Sequence, residues 1–272
     1  MIHTFSKSCI GYNHIKEKLP CQDYSAIYKD NEKIIITCCD GHGSKKYIRS
    51  HVGAHMASNA VMKVFNSLNT NLIKSDNTEI ENKIKLSILC EWNKLIEDDY
   101  NSRPIRKSEL ENLSNEDIQS IKDNYIKAYG TTLTGALILS NKLVVVKIGD
   151  SECFLLKKGE LINIFNDEEE PVANITHSLC QDDAFNYLQV KILNFKDLDG
   201  IFLCTDGLTS PYQSYENFKN SFVKPFINKL IKEKSNEYIE EFIEKIAGEL
   251  GIGDDVSLSF VVKDNTALKY YK

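Results

Sequence analysis

The chain has 272 residues, 42% hydrophobic and 26% charged, with a formal charge of −6. This is the balance of a soluble globular protein with enough apolar residues for a sizeable core, and it argues against a nucleic-acid binder, which carries a concentrated basic face. Met1–Lys7 lacks the apolar centre of a signal peptide and no apolar stretch is long enough to span a bilayer, so a cytoplasmic protein without a membrane segment is expected.

The first forty residues read as two strands, Tyr24 to Tyr28 and Lys33 to Cys39, joined by a turn at Asp30-Asn31. Val52, Met56, Ala60, Val61, Val64, Phe65 and Leu68 then form an apolar stripe at helical spacing. Ile80, Ile84, Ile88, Leu89, Trp92, Leu95 and Ile96 make a second. After a polar segment, Ser114-x-x-Asp117 caps a short helix. Strands follow over Thr132–Leu139 and Lys142–Ile148, with a hairpin at Ser140-Asn141, and around Cys153–Leu156 and Leu161–Ile164. Asn166 to Pro171 is an acidic loop. Strands return at Tyr187–Phe195 and Ile201–Thr205, then helices at Tyr215–Lys232 and Ser235–Leu250, and a closing strand at Val256–Val262. No repeat or linker divides this order, so residues 1–272 read as a single domain of mixed α+β class.

Four times a β-branched apolar run meets an aspartate beside a glycine: Cys39-Asp40-Gly41-His42-Gly43, Ile148-Gly149-Asp150-Ser151, Thr205-Asp206-Gly207 and Gly253-Asp254-Asp255-Val256. A single Asp-Gly is ordinary turn chemistry. Four aspartates at strand ends can converge on one sheet edge, where they repel unless a cation neutralises them; carboxylate oxygens suit a hard ion such as Mg²⁺ or Mn²⁺. The eight cysteines are scattered, without a Cys-x-x-Cys pair, and read as small buried hydrophobes.

In order, Gln22-Asp23, Asp40-Gly41-His42-Gly43, Gly130-Thr131-Thr132, Gly149-Asp150-Ser151, Asp206-Gly207 and Asp254-Asp255 resemble the motifs of the type-2C metal-dependent protein phosphatases, the PPM family, over about residues 5–262. Gly11-Tyr12-Asn13-His14 with Pro20-Cys21 is similar to the bacterial branch. The resemblance implies a four-layer αββα sandwich of two antiparallel sheets packed face to face with helices outside. It implies a metal-dependent phosphoserine and phosphothreonine phosphatase with two Mn²⁺ or Mg²⁺ ions and a third, weaker ion. In that scheme a water or hydroxide bridging the two ions attacks phosphorus in line, with no covalent phosphoenzyme. Asp40 would bridge the ions, Asp206 and Asp254 would complete one site, and the Gly41 carbonyl with Asp23 the other. Asp150 would join Asp206 at the third, and His42 would protonate the leaving oxygen. The implied partners are a phosphoprotein substrate and a cognate serine/threonine kinase, in signalling.

The chain departs from the family pattern at three places. Gln22 stands for an acidic residue, Asp255 for an asparagine, and no arginine precedes Gln22 where many members bind substrate phosphate. Arginine occurs only at 49, 103 and 106, leaving His14 or Lys18 as candidates for the phosphate; lysine offers a point charge in place of a bidentate fork. Gly130–Gly135 lacks the lysine of a phosphate loop and reads as strand, and His51 and His55, spaced i, i+4, read as helix-surface residues without a third zinc ligand. A second function reading is a phosphatase-like module that binds metal or phosphoprotein with little turnover. A third is hydrolysis of small phosphomonoesters. Residues 166–186 match the family's substrate-gating flap in position.

Overall fold

The run Ile34-Ile35-Ile36-Thr37-Cys38 is apolar at nearly every position because both faces of its strand are covered. Ile34, Ile36 and Cys38 face one buried cluster, and Ile35 another. The same split along the other central strands produces layers: helices, sheet, sheet, helices. The computed structural model describes residues 1–70, 78–165, 176–233 and 236–264. The acidic loop at 166–171, and the first ten residues of the segment matched to a flap, lie outside them.

The strands are β1 (Ile2–Cys9), β2 (Tyr24–Lys29), β3 (Lys33–Cys39), β4 (Leu133–Leu139), β5 (Lys142–Ile148), β6 (Glu152–Lys157), β7 (Glu160–Asn163), β8 (Gln189–Asn194), β9 (Gly200–Cys204) and β10 (Val256–Lys263). One sheet has the order β1-β10-β9-β6-β7 and the other β2-β3-β4-β5-β8, with antiparallel pairing throughout. The helices are α1 (Tyr12–Glu17), α2 (Ser50–Ser67), α3 (Thr78–Ser102), α4 (Asn115–Asp123), α5 (Ala184–Tyr187), α6 (Asp206–Thr209), α7 (Tyr215–Phe218), α8 (Lys224–Glu233) and α9 (Glu237–Lys245). This is an α+β four-layer sandwich, as expected.

Between the sheets lie Ile36, Cys38, Ala136, Val145, Leu155, Ile201, Leu203 and Val261. Outside one sheet, Val61 and Phe65 of α2 and Ile84, Ile88 and Trp92 of α3 cover Leu137, Val144 and Val146. Outside the other, Phe226, Ile239 and Ile243 cover Phe5, Phe202 and Phe260. Among the described residues no helix is long and apolar enough to cross a membrane.

β1, α1 and the one-turn helices α5 and α6 went unread. β1 and α1 precede the first expected strand, so the first forty residues hold three strands and a short helix. The reason for β1 is chemical: its Ser6 and Ser8 meet Ser259 and Ser257 of the neighbouring β10, and Ser8 also meets Ser25 of the other sheet, in hydroxyl hydrogen bonds of 2.6–3.0 Å. A strand whose inward face carries hydroxyls loses the apolar alternation that would reveal it. The strand expected from Tyr187 starts at Gln189, after the turn of α5, and the two late helices contain wider π turns at Lys219–Val223 and Ile246–Leu250.

Candidate active site

The ends of β3, β5 and β9 and the beginnings of β2, β6 and β10 lie at one edge of the sandwich, since neighbouring strands are antiparallel. This puts Asp23, Asp40, Asp150, Asp206 and Asp254 at the same edge. Asp23 and Asp40 come from one sheet, Asp206 and Asp254 from the other, and Asp150 from the β5–β6 connection.

Asp40 is held by its backbone. Thr132 N and Thr131 Oγ1 donate to the Asp40 carbonyl at 2.8 and 2.9 Å, and Asp40 N donates to Thr132 Oγ1 at 3.0 Å. Gly41 forms a β-bridge with Thr131. A Cβ on Gly41 would lie 2.6 Å from the Gln22 carbonyl oxygen and 2.9 Å from the Ser50 backbone, so only glycine lets the chain pass there. Gly130-Thr131-Thr132 thus clamps Asp40, a role the sequence did not show, because the pairing register is a tertiary fact.

Asp23 is buried and accepts a 2.7 Å bond from Thr205 Oγ1, one residue before Asp206, which ties the two sheets together at the site. Burial pushes the Asp23 carboxyl well above the usual range, and Asp255 and Asp254 add to it while Thr205 and Ser257 oppose it. Asp40 is raised by burial first, then by the charges of Asp23, Asp206, Asp150 and Asp254. Asp206 is raised by burial and by Asp150 and Asp254. These groups feel one another as a mutually repelling set, which protons or cations must neutralise. Asp150 and Asp254 are exposed, and Asp150 accepts a 2.6 Å bond from Thr176.

Among the described residues no three His, Cys, Asp or Glu side chains already enclose one point as ligands. The donor chemistry is nonetheless that of a hard divalent cation. The set is all carboxylate oxygen, confined, and repelled from within, beside a Gly41 backbone with no Cβ in the way. The residues present fit such an ion.

His42 packs on Tyr47 at 4.8 Å between ring centroids, and its backbone N donates to the Gly130 carbonyl at 3.1 Å. Its Nε2 is buried without a hydrogen-bond partner. Burial lowers its pKa; Asp150 opposes the shift and Lys46 reinforces it. A Cβ on Gly130 would stand 2.3 Å from the Tyr47 ring and 3.0 Å from His42 Cδ2.

Asp255 does more than stand in for an asparagine. It is 3% exposed, accepts 2.6 Å bonds from both Gly11 N and Gln22 N, and lies 2.9 Å from His14 Nδ1, out of line for a hydrogen bond. It pins the segments leading to Asp23 and from Asp254. His14 is therefore engaged with Asp255, while Lys18 is an exposed residue closing α1 in the left-handed conformation. The side chains of two of the three arginines are committed elsewhere. Buried Arg49 binds Glu109 through two bonds of 2.8 and 3.1 Å and also meets Asp99 and the Tyr129 hydroxyl. Arg103 pairs with Asp99, and Arg106 N donates to Glu109. His55 is exposed and packs against Tyr24, and His51 is half-buried beside the Arg49 cluster.

A carboxylate-edged double-sheet sandwich with a histidine at its rim defines a class of metal-assisted hydrolase. The protein phosphatase 2C family model matches residues 10–244, and the chain belongs to that family of phosphatases. Solved structures of similar fold include a bacterial serine phosphatase (17% identical, covering 96% of this chain and 98% of that one, TM-score 0.61). Stp1 from Staphylococcus aureus is similar (15% identical, 97% and 95% covered, TM-score 0.59). So is the catalytic domain of the serine/threonine protein phosphatase PstP in complex with two manganese ions (19% identical, 96% and 97% covered, TM-score 0.54). No curated protein sequence matches the chain.

Proposed function

We propose that the chain is a Mn²⁺- or Mg²⁺-dependent phosphatase acting on phosphoserine and phosphothreonine in proteins, as one catalytic domain. The observation that carries this reading is the convergence of aspartates from both sheets, where burial first and mutual repulsion second raise the Asp40 and Asp206 carboxyls. Asp40, Asp206 and Asp254 would hold one ion; Asp40, the Gly41 carbonyl and Asp23 the other; Asp150 with Asp206 a weaker third. Bound divalent cations supply Lewis acidity toward water and phosphate oxygens. The aspartates would hold the ions, and without a cation their charge would repel an approaching phosphate. His42, its Nε2 unpaired, donates a proton to the departing seryl or threonyl oxygen. Its lowered pKa makes the imidazolium a stronger acid but a scarcer one near neutrality, and an arriving phosphate dianion would push that pKa back up. The substrate is a phosphoprotein, the reaction reverses a serine/threonine kinase, and the eight free thiols support a reducing, cytoplasmic setting.

The test is hydrolysis of a phosphothreonine peptide and of p-nitrophenyl phosphate with Mn²⁺, with Mg²⁺ and with EDTA, alongside Asp40→Ala. Cation-dependent turnover lost in the variant supports the reading. A folded protein that binds Mn²⁺, seen as loss of the free-ion EPR signal, but turns over neither substrate would favour the binding module. The arginine missing before Gln22 is the observation on that side.

A further inference from the structure

A histidine that moves a proton usually has its ring fixed by a hydrogen bond to the nitrogen that does not react. His42 lacks that support: no described residue hydrogen-bonds its imidazole, and its Nε2 is buried without a partner. Its backbone N is tied to the Gly130 carbonyl, which fixes the main chain and leaves the side-chain torsions free. Packing must therefore aim the ring.

Two neighbours supply that packing. The bare Cα of Gly130 makes room for both rings, since a Cβ there would meet the Tyr47 ring at 2.3 Å and His42 Cδ2 at 3.0 Å. The Tyr47 ring lies 4.8 Å from the imidazole, centroid to centroid, at a tilt of 47°. Such a tilted pair is a favoured aromatic contact. Tyr47 is itself well held. Its N donates to the Ser44 carbonyl and its carbonyl accepts from Ser50 N, both at 2.9 Å, and its side chain packs against the cluster that α2 and α3 bury. Gly130 is anchored too, because Arg49 N donates to the Ala128 carbonyl while Arg49 and Asp99 hold the Tyr129 hydroxyl. Tyr47 also lines a cavity of about 630 Å³ whose walls do not include His42. The tyrosine ring thus separates the imidazole from open space, into which it could otherwise turn.

We infer that Tyr47 is a positioning residue for the proposed reaction: its ring holds the His42 imidazole at the carboxylate edge, where Nε2 hands its proton to the departing seryl or threonyl oxygen. The inference rests on the phosphatase reading above. In that step the N–H bond of the imidazolium and the P–O bond to the leaving group break as a new O–H bond forms. The face of the tyrosine ring carries the role, and its hydroxyl does not.

The experiment exploits the leaving group, because a threonine alkoxide needs the proton to depart and p-nitrophenolate does not. With the full chain and Mn²⁺, Tyr47→Leu should lower kcat on a phosphothreonine peptide at least about tenfold, with KM within about twofold. On p-nitrophenyl phosphate the same variant should lose less than about threefold in kcat. Tyr47→Phe keeps the ring and should retain both rates to within about twofold. Adding Tyr47→Leu to His42→Ala should cost nothing further, since a residue acting through His42 has nothing left to hold. Equal losses on the two substrates, additive losses in the double variant, or a Tyr47→Phe as slow as Tyr47→Leu would overturn the inference. Proton NMR of the His42 ring in EDTA, assigned by the signals lost in His42→Ala, reads the packing without turnover. The Tyr47 ring current displaces these resonances in the wild type, and Tyr47→Leu should return them toward those of a solvent-exposed histidine. Undisplaced resonances in the wild type would overturn the role even if the leucine variant failed to fold. A wild type with displaced resonances that hydrolyses neither substrate counts against the phosphatase reading and not against the packing.

Discussion

Asp255→Ala removes the acceptor of two backbone donors at once, Gly11 N and Gln22 N, each 2.6 Å from a carboxylate that is 3% exposed. A buried donor left without an acceptor costs about 1–3 kcal/mol, so the pair gives about 2–6 kcal/mol. Two effects reduce this. Gln22 is half-buried, so water can reach its amide, and the lost carboxylate no longer repels Asp23. A net loss of about 3 kcal/mol is expected, or a fall of about 6–12 °C in melting midpoint for a chain of this size. Asp255→Asn should fall between, since its carbonyl can serve one donor while its amide faces the other. Thermal melts by circular dichroism in EDTA measure the effect free of any cation. Since the pinned segments carry Asp23 and Asp254, Mn²⁺ affinity should also weaken, by about 10- to 100-fold. An alanine variant within 1 kcal/mol of wild type and with unchanged Mn²⁺ affinity would refute the reasoning.

In EDTA, raised Asp40 and Asp206 carboxyls hold protons that the unfolded chain releases. Stability should therefore rise as pH is lowered from 7.5 toward about 5, and level off near the unfolded carboxylate range. Saturating Mn²⁺, which needs deprotonated ligands, should reverse the slope; melts at each pH read the sign, and stability rising with pH in EDTA would contradict the placement. Asp206→Asn should abolish Mn²⁺-dependent hydrolysis while melting in EDTA at or above the wild-type temperature, because it removes one of the repelling charges; near-wild-type turnover would sink the binuclear reading. Gly130→Ala drives a methyl into the Tyr47 ring and displaces His42, so kcat should drop at least tenfold at unchanged Mn²⁺ affinity. Steady-state kinetics with calorimetric Mn²⁺ titration would show otherwise if His42 has no part.

The layers were legible because their strands are covered on both faces, so β3, β4 and β5 read as unbroken apolar runs and α2 and α3 as stripes. Asp40, Asp150 and Asp206 were legible because each sits where an apolar run stops, and Asp254 because it sits where one begins. What the sequence concealed depends on pairing. Thr131 and Thr132 look like ordinary strand threonines until the bridge to Gly41 turns them onto the Asp40 backbone. Asp255 looks like a substitution within a motif until Gly11 and Gln22, more than two hundred residues earlier, arrive at its oxygens. The hydroxyl face of β1 hid that strand altogether.

β10 lies between β1 and β9, with β1 pairing along its whole length. The sheet holding Asp206 and Asp254 is thus closed by β10, made after its other four strands and inserted between β1 and β9. The other sheet, from Tyr24 to Asn194, has all its strands before β9 exists. A growing chain can assemble that half with α2 and α3 while its inner face waits uncovered. Asp206 and Asp254, two of the five site aspartates, appear only after β9, so a nascent chain that stops short of β10 lacks part of the site. The site is assembled only once β10 has paired with β1 and β9, and until then the inner face of the first sheet lacks its cover.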